Sequence, residues 1–334
     1  MYVNRKAFAC LVLVFFASSD ALAQDGTIGN SIIDQRFAAL EAKVGDLENK
    51  NAALESKVGV LETKSNALAA LLAGVTRGID PNTSMDTLQF SGLNVQIVSG
   101  DNRTFNSNNG TGNLIIGYNE NWSGKPRSGS HMLVLGVDNG YQSFGGIVSG
   151  WGNSTGNAFS SVLGGRDNQS GGILSVVAGG YKNVAFGDKS VVAGGENNLA
   201  QASLSVVSGG RSNTADALVA TVSGGVLNVA NGEGASVSGG QGNFATGVSA
   251  TVSAGWSNHA TGFRSSVSGG GQNEARGGYS SVSGGFANLA SGVTSSIGGG
   301  ARNKATGRRS TVAGGPDKTA ASLECVVGDS GDVC

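Results

Sequence analysis

From Gly146 to the C-terminus, apolar and polar positions recur with a fixed period of fifteen, each copy reading roughly Ser-Val-Ser-Gly-Gly-x-x-Asn-x-Ala-x-Gly-x-x-Ser. Copies begin at Gly146, Ser161, Val176, Val191, Val206, Thr221, Ser236, Thr251, Ser266, Ser281, Ser296 and Thr311, with a truncated one at Val326. A short fixed period predicts a solenoid in which one copy makes one coil. Column two is Val or Ile throughout, from Ile147 and Val162 to Val312 and Val327, and column ten is Ala from Ala185 to Ala320 after Thr155 and Ser170. The alternation around column two predicts a short strand with the valine inward and its neighbours outward. The Gly-Gly pair at columns four and five then ends the strand, by a turn closed to residues with a Cβ or by close backbone approach. Column eight is Asn at Asn153, Asn168, Asn183, Asn198, Asn213, Asn228, Asn243, Asn258, Asn273, Asn288 and Asn303, and becomes Lys at Lys318. Stacked about 4.8 Å apart, these amides are expected to donate and accept along a structural ladder. Columns six and seven hold Trp151, Arg166, Tyr181, Glu196, Val226, Trp256, Phe286 and Arg302 without preference, so they face solvent or a partner. The predicted coil is two short strands joined by tight turns. With one valine and one alanine per coil, several chains are expected to share one core.

A different period governs the N-terminal third. Between Ile33 and Val75, Phe37, Val44, Asn51, Val58, Ser65 and Leu72 fall at heptad position a, and Leu40, Leu47, Leu54, Leu61, Leu68 and Val75 at d. This predicts a coiled coil of six heptads, with a helix over about 31–75. Lys43, Lys50, Lys57 and Lys64 at g face Glu41, Glu48, Glu55 and Glu62 at e of a neighbour when the chains run parallel and in register. Valine at a, leucine at d and a buried Asn51 that fixes register favour two strands. A core shared by solenoids favours three. A homotrimer is the reading adopted, with a homodimer as its alternative.

Between the two patterns, residues 77–130 read as a β neck. Leu88 and Phe90, then Leu93, Val95 and Ile97, alternate as strands around Gly92, and the Asn/Gly-rich stretch 101–113 reads as a loop. Asn113-Leu-Ile-Ile-Gly and Met132-Leu-Val-Leu-Gly resemble degenerate first coils, separated by an insertion over 121–130. The repeat head is set at 131–325 and a C-terminal cap at 326–334. Before the stalk, which is set at 24–76, residues 1–23 carry Arg5 and Lys6, an apolar run from Ala7 to Ala17 and Ala21-Leu22-Ala23. That order is a secretory signal peptide, so the chain is expected outside the cell or at its surface. The apolar run is shorter than the ~20 residues a transmembrane helix needs, and no other segment qualifies. Cys325 and Cys334 are candidates for a disulfide within the chain, with a bridge between chains or free thiols as alternatives.

The repeats Ser236-Val-Ser-Gly-Gly-Gln-Gly-Asn-Phe-Ala-Thr-Gly and Ser296-Ile-Gly-Gly-Gly-Ala-Arg-Asn-Lys-Ala-Thr-Gly resemble the head repeats of trimeric autotransporter adhesins, the YadA-like heads. The resemblance covers the repeats, more than half of the chain. It implies a left-handed parallel β-roll that trimerises, and an adhesive role at a bacterial surface toward matrix proteins, glycans or other cells. Two features depart from it: the period of those heads is shorter by one residue, and they precede their stalk and a C-terminal membrane anchor. Here the stalk comes first, and Pro316–Cys334 carries no run of alternating apolar strands of about ten residues.

The composition leaves little room for catalysis. His131 and His259 are the two histidines, and neither has a repeated acidic or cysteine partner, so neither a metal nor a catalytic site is expected. No cofactor is implied. The Gly-Gly pairs precede strand-like turns rather than helices, so phosphate loops and nucleic-acid partners are not expected either. Trp151, Tyr181, Trp256, Phe263, Tyr279 and Phe286 are candidate contacts, and Arg302, Lys304, Arg308 and Arg309 a candidate basic cluster for acidic glycans. The leading function is an adhesin-like fibre displaying variable residues many times over. A non-adhesive scaffold or fibre tip is the alternative. An ice-binding face is the third reading, and Val176, Val191, Ala178 and Ala193 interrupt the Ser/Thr columns it would need.

Overall fold

A computed structural model describes residues 27–105, 108–323, 326–328 and 331–333. The expected signal peptide over 1–23 and the candidate pair Cys325 and Cys334 therefore lie outside the described residues. The chain forms two compact units, one ending at Val95 and one beginning at Gln96.

The first unit holds a helix, α1 (Thr27–Leu71), and a hairpin of β1 (Val75–Ile79) and β2 (Asp86–Phe90). The helix starts before the expected residue 31 and stops short of 75, so Leu72 and Val75 leave the heptad. Gly74 explains the stop. Its φ of +88° is open to glycine, and a Cβ there would lie 2.5 Å from the carbonyl oxygen of Ser91. Val75 instead pairs with Phe90 across the hairpin. At the hairpin's tip, Asp80 Oδ1 accepts the backbone N–H groups of Asn82 and Thr83, both at 2.8 Å, which holds its carboxyl below the usual range. Leu88 and Phe90 lie in β2 as expected, but no strand forms over Leu93, Val95 and Ile97. Lys50, in the g series, bonds Asp46 of its own helix at 2.6 Å.

The second unit is a parallel β-solenoid of about 14 turns. The first sheet starts with β3 (Leu114–Ile116) and β4 (Leu133–Val137), paired parallel, and continues through columns one and two of every copy to Val326–Gly328. The second stacks columns nine and ten from Gly140–Tyr141 to Thr319–Ala320. Column six adds a line of single bridges from Trp151 to Pro316. Column-two valines and column-ten alanines are fully buried between the sheets and form one continuous core. A final antiparallel strand, Gly331–Val333, covers the last parallel one, which keeps that edge from pairing further.

The first copy departs from the expected register. Val148, not Ile147, is buried and pairs with Val162, while Ile147 pairs with Leu133 and is only half-buried. The coils starting at Leu133 and Ile147 have a repeat of 14, as the bond from the Asn153 backbone N–H to Asn139 Oδ1 also shows, because each lacks one residue of the Gly-Gly pair. Counting back by the full period therefore slips one residue and turns the wrong side chain inward.

The two glycines of the pair differ in what they do. At column five, Gly225 has φ +88° and a Cβ would meet the carbonyl oxygen of Gly240 at 2.2 Å; the same clash recurs at each copy from Gly165 to Gly300. At column four nothing lies within 4 Å of a Cβ on Gly224, and Ala254 occupies that column two turns later.

The asparagine ladder is made differently from a stack of amides. Each Oδ1 accepts the backbone N–H of the next asparagine, as Asn228 does from Asn243 at 3.0 Å. Each Nδ2 donates to the column-four carbonyl of its own coil and the column-five carbonyl of the next; for Asn228 these are Gly224 at 2.9 Å and Gly240 at 3.0 Å. Among the described residues only Asn288 adds an amide-to-amide bond, to Asn273 at 3.0 Å. Lys318 ends the ladder by offering its backbone N–H to Asn303 Oδ1 at 2.9 Å.

Column fifteen, which follows a turn residue of positive φ, is also buried. Ser205 Oγ donates to the carbonyl of Ala202 at 2.6 Å, whereas the hydroxyls of Ser190, Ser265, Ser280, Ser295 and Ser310 have no partner among the described residues. Alanine fills the column at Ala220, Ala235 and Ala250. A buried hydroxyl without a partner costs about 1–3 kcal/mol. Ser280→Ala is therefore expected to stabilise the solenoid by about 1 kcal/mol in urea unfolding, while Ser205→Ala weakens it by about 1 kcal/mol.

Candidate functional site

What the solenoid offers a partner is set by three positions of positive φ in each coil. Column five turns the chain after the first strand, and columns seven and fourteen hold residues in the left-handed region whatever their type. These corners line up from coil to coil into ridges at columns six and seven and at columns thirteen and fourteen. The ridges carry most of the exposed large side chains of the head.

The column-six ridge starts with a stack. The Arg166 guanidinium lies 4.1 Å from the Trp151 ring centroid and 5.9 Å from that of Tyr181, and Lys182 lies 5.0 Å from Tyr181. Cation–π contacts of this kind are favourable at exposed sites. Further along, the rings of Trp256 and Phe286 approach to 6.0 Å. On the other ridge, Phe263 and Tyr279 meet edge to face at 5.3 Å with Arg264 over Phe263. His259 stacks on Phe244 at 4.9 Å on the outer face of the second sheet.

The basic cluster is divided by the fold. Arg302 sits at column seven and Lys304 at column nine, whereas Arg308 and Arg309 occupy the other turn of the coil. Arg302 is also engaged: its Nε and Nη2 donate to the two carboxylate oxygens of Asp317, each at 2.7 Å. That bond holds Asp317 below the usual carboxylate range and raises Arg302. Four cations on one face are therefore not what the coil presents. Asp317 occupies the same column as Arg302 one coil later, so this pairing is visible in the repeat alignment.

His131, at φ +54°, accepts the Ser99 backbone N–H at Nε2, 3.3 Å away. Among the described residues no three His, Cys, Asp or Glu side chains converge as a metal site requires. In the coil starting at Leu133, the buried Asp138 carboxylate is held below its usual range, first by the hydroxyl of Ser123 at 2.5 Å, then by the Ser123 backbone N–H at 3.1 Å and by Lys125 at 3.6 Å. Burial pushes the other way and loses. A lowered folded pKa gives stability that is present above the unfolded value of about 3.9 and lost as pH falls through the folded one. Amides of residues 121–125 are thus expected to lose hydrogen-exchange protection below about pH 4, and Asp138→Asn removes that acid step.

No family model and no curated protein matches this chain. Function must therefore be read from the ridges and from the helix. No helix among the described residues is long and apolar enough to cross a membrane.

Proposed function

We propose that this chain is an exported, self-associating fibre protein, a homotrimer whose helices form a parallel coiled coil and whose solenoids share a core, with the ridge of columns six and seven displayed for multivalent adhesion to glycans, matrix proteins or cells. The observation that carries the reading is the bare seam of α1. Leu40, Leu47, Leu54, Leu61 and Leu68 are 56–64% exposed in the single chain. A stripe of leucines at heptad spacing is left in water only when another helix is meant to cover it.

The solenoid supports the same reading. Leu174, Leu204, Val219 and Tyr279 occupy column fourteen at φ 58–60° and are 47–52% exposed. An L-residue in the left-handed region costs about 1–2 kcal/mol, and asparagine or glycine would relieve that cost. Apolar side chains retained there, in a column that also holds Lys189, Ser249 and Arg264, fit an edge that packs in part against another copy. The left-handed β-roll, the three-fold assembly and the adhesive role belong to the YadA-like resemblance. The two shorter coils at Leu133 and Ile147 bring the start of the solenoid to the period of those heads.

Attachment of the full chain to immobilised matrix proteins and glycans tests the proposal. Wild type is expected to bind, and a Leu54→Asp, Leu61→Asp double variant, altered at exposed positions only, to lose about 100-fold in apparent affinity as avidity disappears. Equal binding by the dispersed variant would sink the multivalent part. Capture on no surface would leave a non-adhesive scaffold.

A further inference from the structure

Column six is a bridge position with an outward side chain in most coils, and in one place it is built differently. Trp256, Gly271 and Phe286 follow one another there on three successive coils. Coils stack about 4.8 Å apart, so residues two coils apart should stand about 9.5 Å from each other. The ring centroids are nevertheless 6.0 Å apart, inclined at 38°. Gly271 makes this approach possible. A Cβ on it would meet Trp256 Cε2 and Nε1 at 2.5 Å, so the indole lies along the ridge over the glycine, which it buries. Gly271 has no positive φ that would require glycine, and Ala301 fills the same column two coils later. The glycine serves the indole, not the coil.

The result is a shallow aromatic saddle. Trp256 remains 47% and Phe286 42% exposed, and the indole N–H meets no acceptor among the described residues. Charge near it is paired: no residue of columns six and seven is charged between Arg211 and Arg302, Arg302, whose backbone N–H bonds the Phe286 carbonyl, gives its guanidinium to Asp317, and Glu274 pairs with Arg276. Exposed Gln241 and Gln272 and part-buried Ser257 flank it with uncharged donors and acceptors. Phosphate or sulfate groups would have to compete with Asp317 and Glu274 for the nearest cations. A ligand with apolar faces for the rings and hydroxyls for the amides would find both.

We propose that the Trp256–Gly271–Phe286 saddle binds a neutral oligosaccharide by stacking its sugar faces on the two rings. This rests on the adhesive reading, and it assigns that role a site and a ligand class.

The test is titration of the full chain with cellotetraose, chitotetraose and maltotetraose, followed by tryptophan fluorescence and calorimetry, with a heparin tetrasaccharide and a matrix-protein panel as further arms. At least one neutral tetrasaccharide is expected to bind. Trp256→Ala and Phe286→Ala should each weaken it at least tenfold, and Phe186→Ala, which removes an exposed ring at column eleven outside both ridges, should not. Gly271→Ala keeps a residue that column six accepts, so its melting curve should match wild type while its affinity falls, because the methyl lifts the indole off the ridge. Neutral sugars binding equally well to all variants, or capture only by heparin or matrix protein, would overturn the saddle and leave the adhesive reading standing. Capture on no arm would overturn both.

Discussion

Gly225→Ala is expected to cost the solenoid about 4 kcal/mol or more, while Gly224→Ala, one residue away, changes its stability by less than about 0.5 kcal/mol. The pair looks equivalent in sequence. At Gly225 a methyl group must adopt φ +88° and would stand 2.2 Å from the Gly240 carbonyl oxygen and 2.5 Å from Asn228 Nδ2. The first of these is backbone of the next coil and cannot move without opening the stack. At Gly224 the methyl meets nothing within 4 Å. Urea unfolding of the two variants side by side makes the comparison. Because coils in a solenoid touch mainly their neighbours, hydrogen exchange in Gly225→Ala should rise most between residues 221 and 250. A large loss in Gly224→Ala would mean that column four has a role its open surroundings do not reveal.

Asn228→Ala should be nearly as damaging, at about 3 kcal/mol. The side chain is fully buried and makes three bonds, so its removal strands the Asn243 backbone N–H and withdraws donors from the Gly224 and Gly240 carbonyls. An unpaired buried backbone group costs about 1–3 kcal/mol. Asn228→Asp keeps the acceptor but turns a carboxylate toward two carbonyl oxygens, so it should lose at least as much. If the ladder consisted of amides bonded to amides, deleting one member would spare the backbone and the loss would stay near about 1 kcal/mol. Thermal melting of the two variants distinguishes the two pictures.

The period makes the solenoid legible, and it also limits what can be read. Columns two, eight and ten repeat because the fold fixes them, so Val162, Asn168 and Ala185 stand out in the alignment of copies. The same regularity misleads at Ile147, where a coil one residue shorter turns Val148 inward instead. Column fifteen escapes notice because serine reads as a surface residue, yet Ser280 follows Tyr279 at φ +59° and is buried. Leu93, Val95 and Ile97 alternate like a strand, but a strand also needs a partner, and β2 already has its own in β1. The basic cluster dissolves because Lys304 lies in the second strand of its coil while Arg308, four residues on, lies in the turn after it. Part of the saddle is legible too: reading column six downward gives Trp, Gly and Phe. What the column does not give is the lean of the indole over Gly271.

The proposed multivalent adhesion depends on chains assembling through α1 and the solenoid edge of column fourteen. The molar mass of the full chain by light scattering, at low concentration with the cysteines reduced, addresses that most directly. Three chain masses are expected, falling toward one in the Leu54→Asp, Leu61→Asp variant. Two chain masses in wild type would contradict the trimer and give weight to the valine, leucine and Asn51 pattern of the heptads. A single chain mass would contradict the shared core itself.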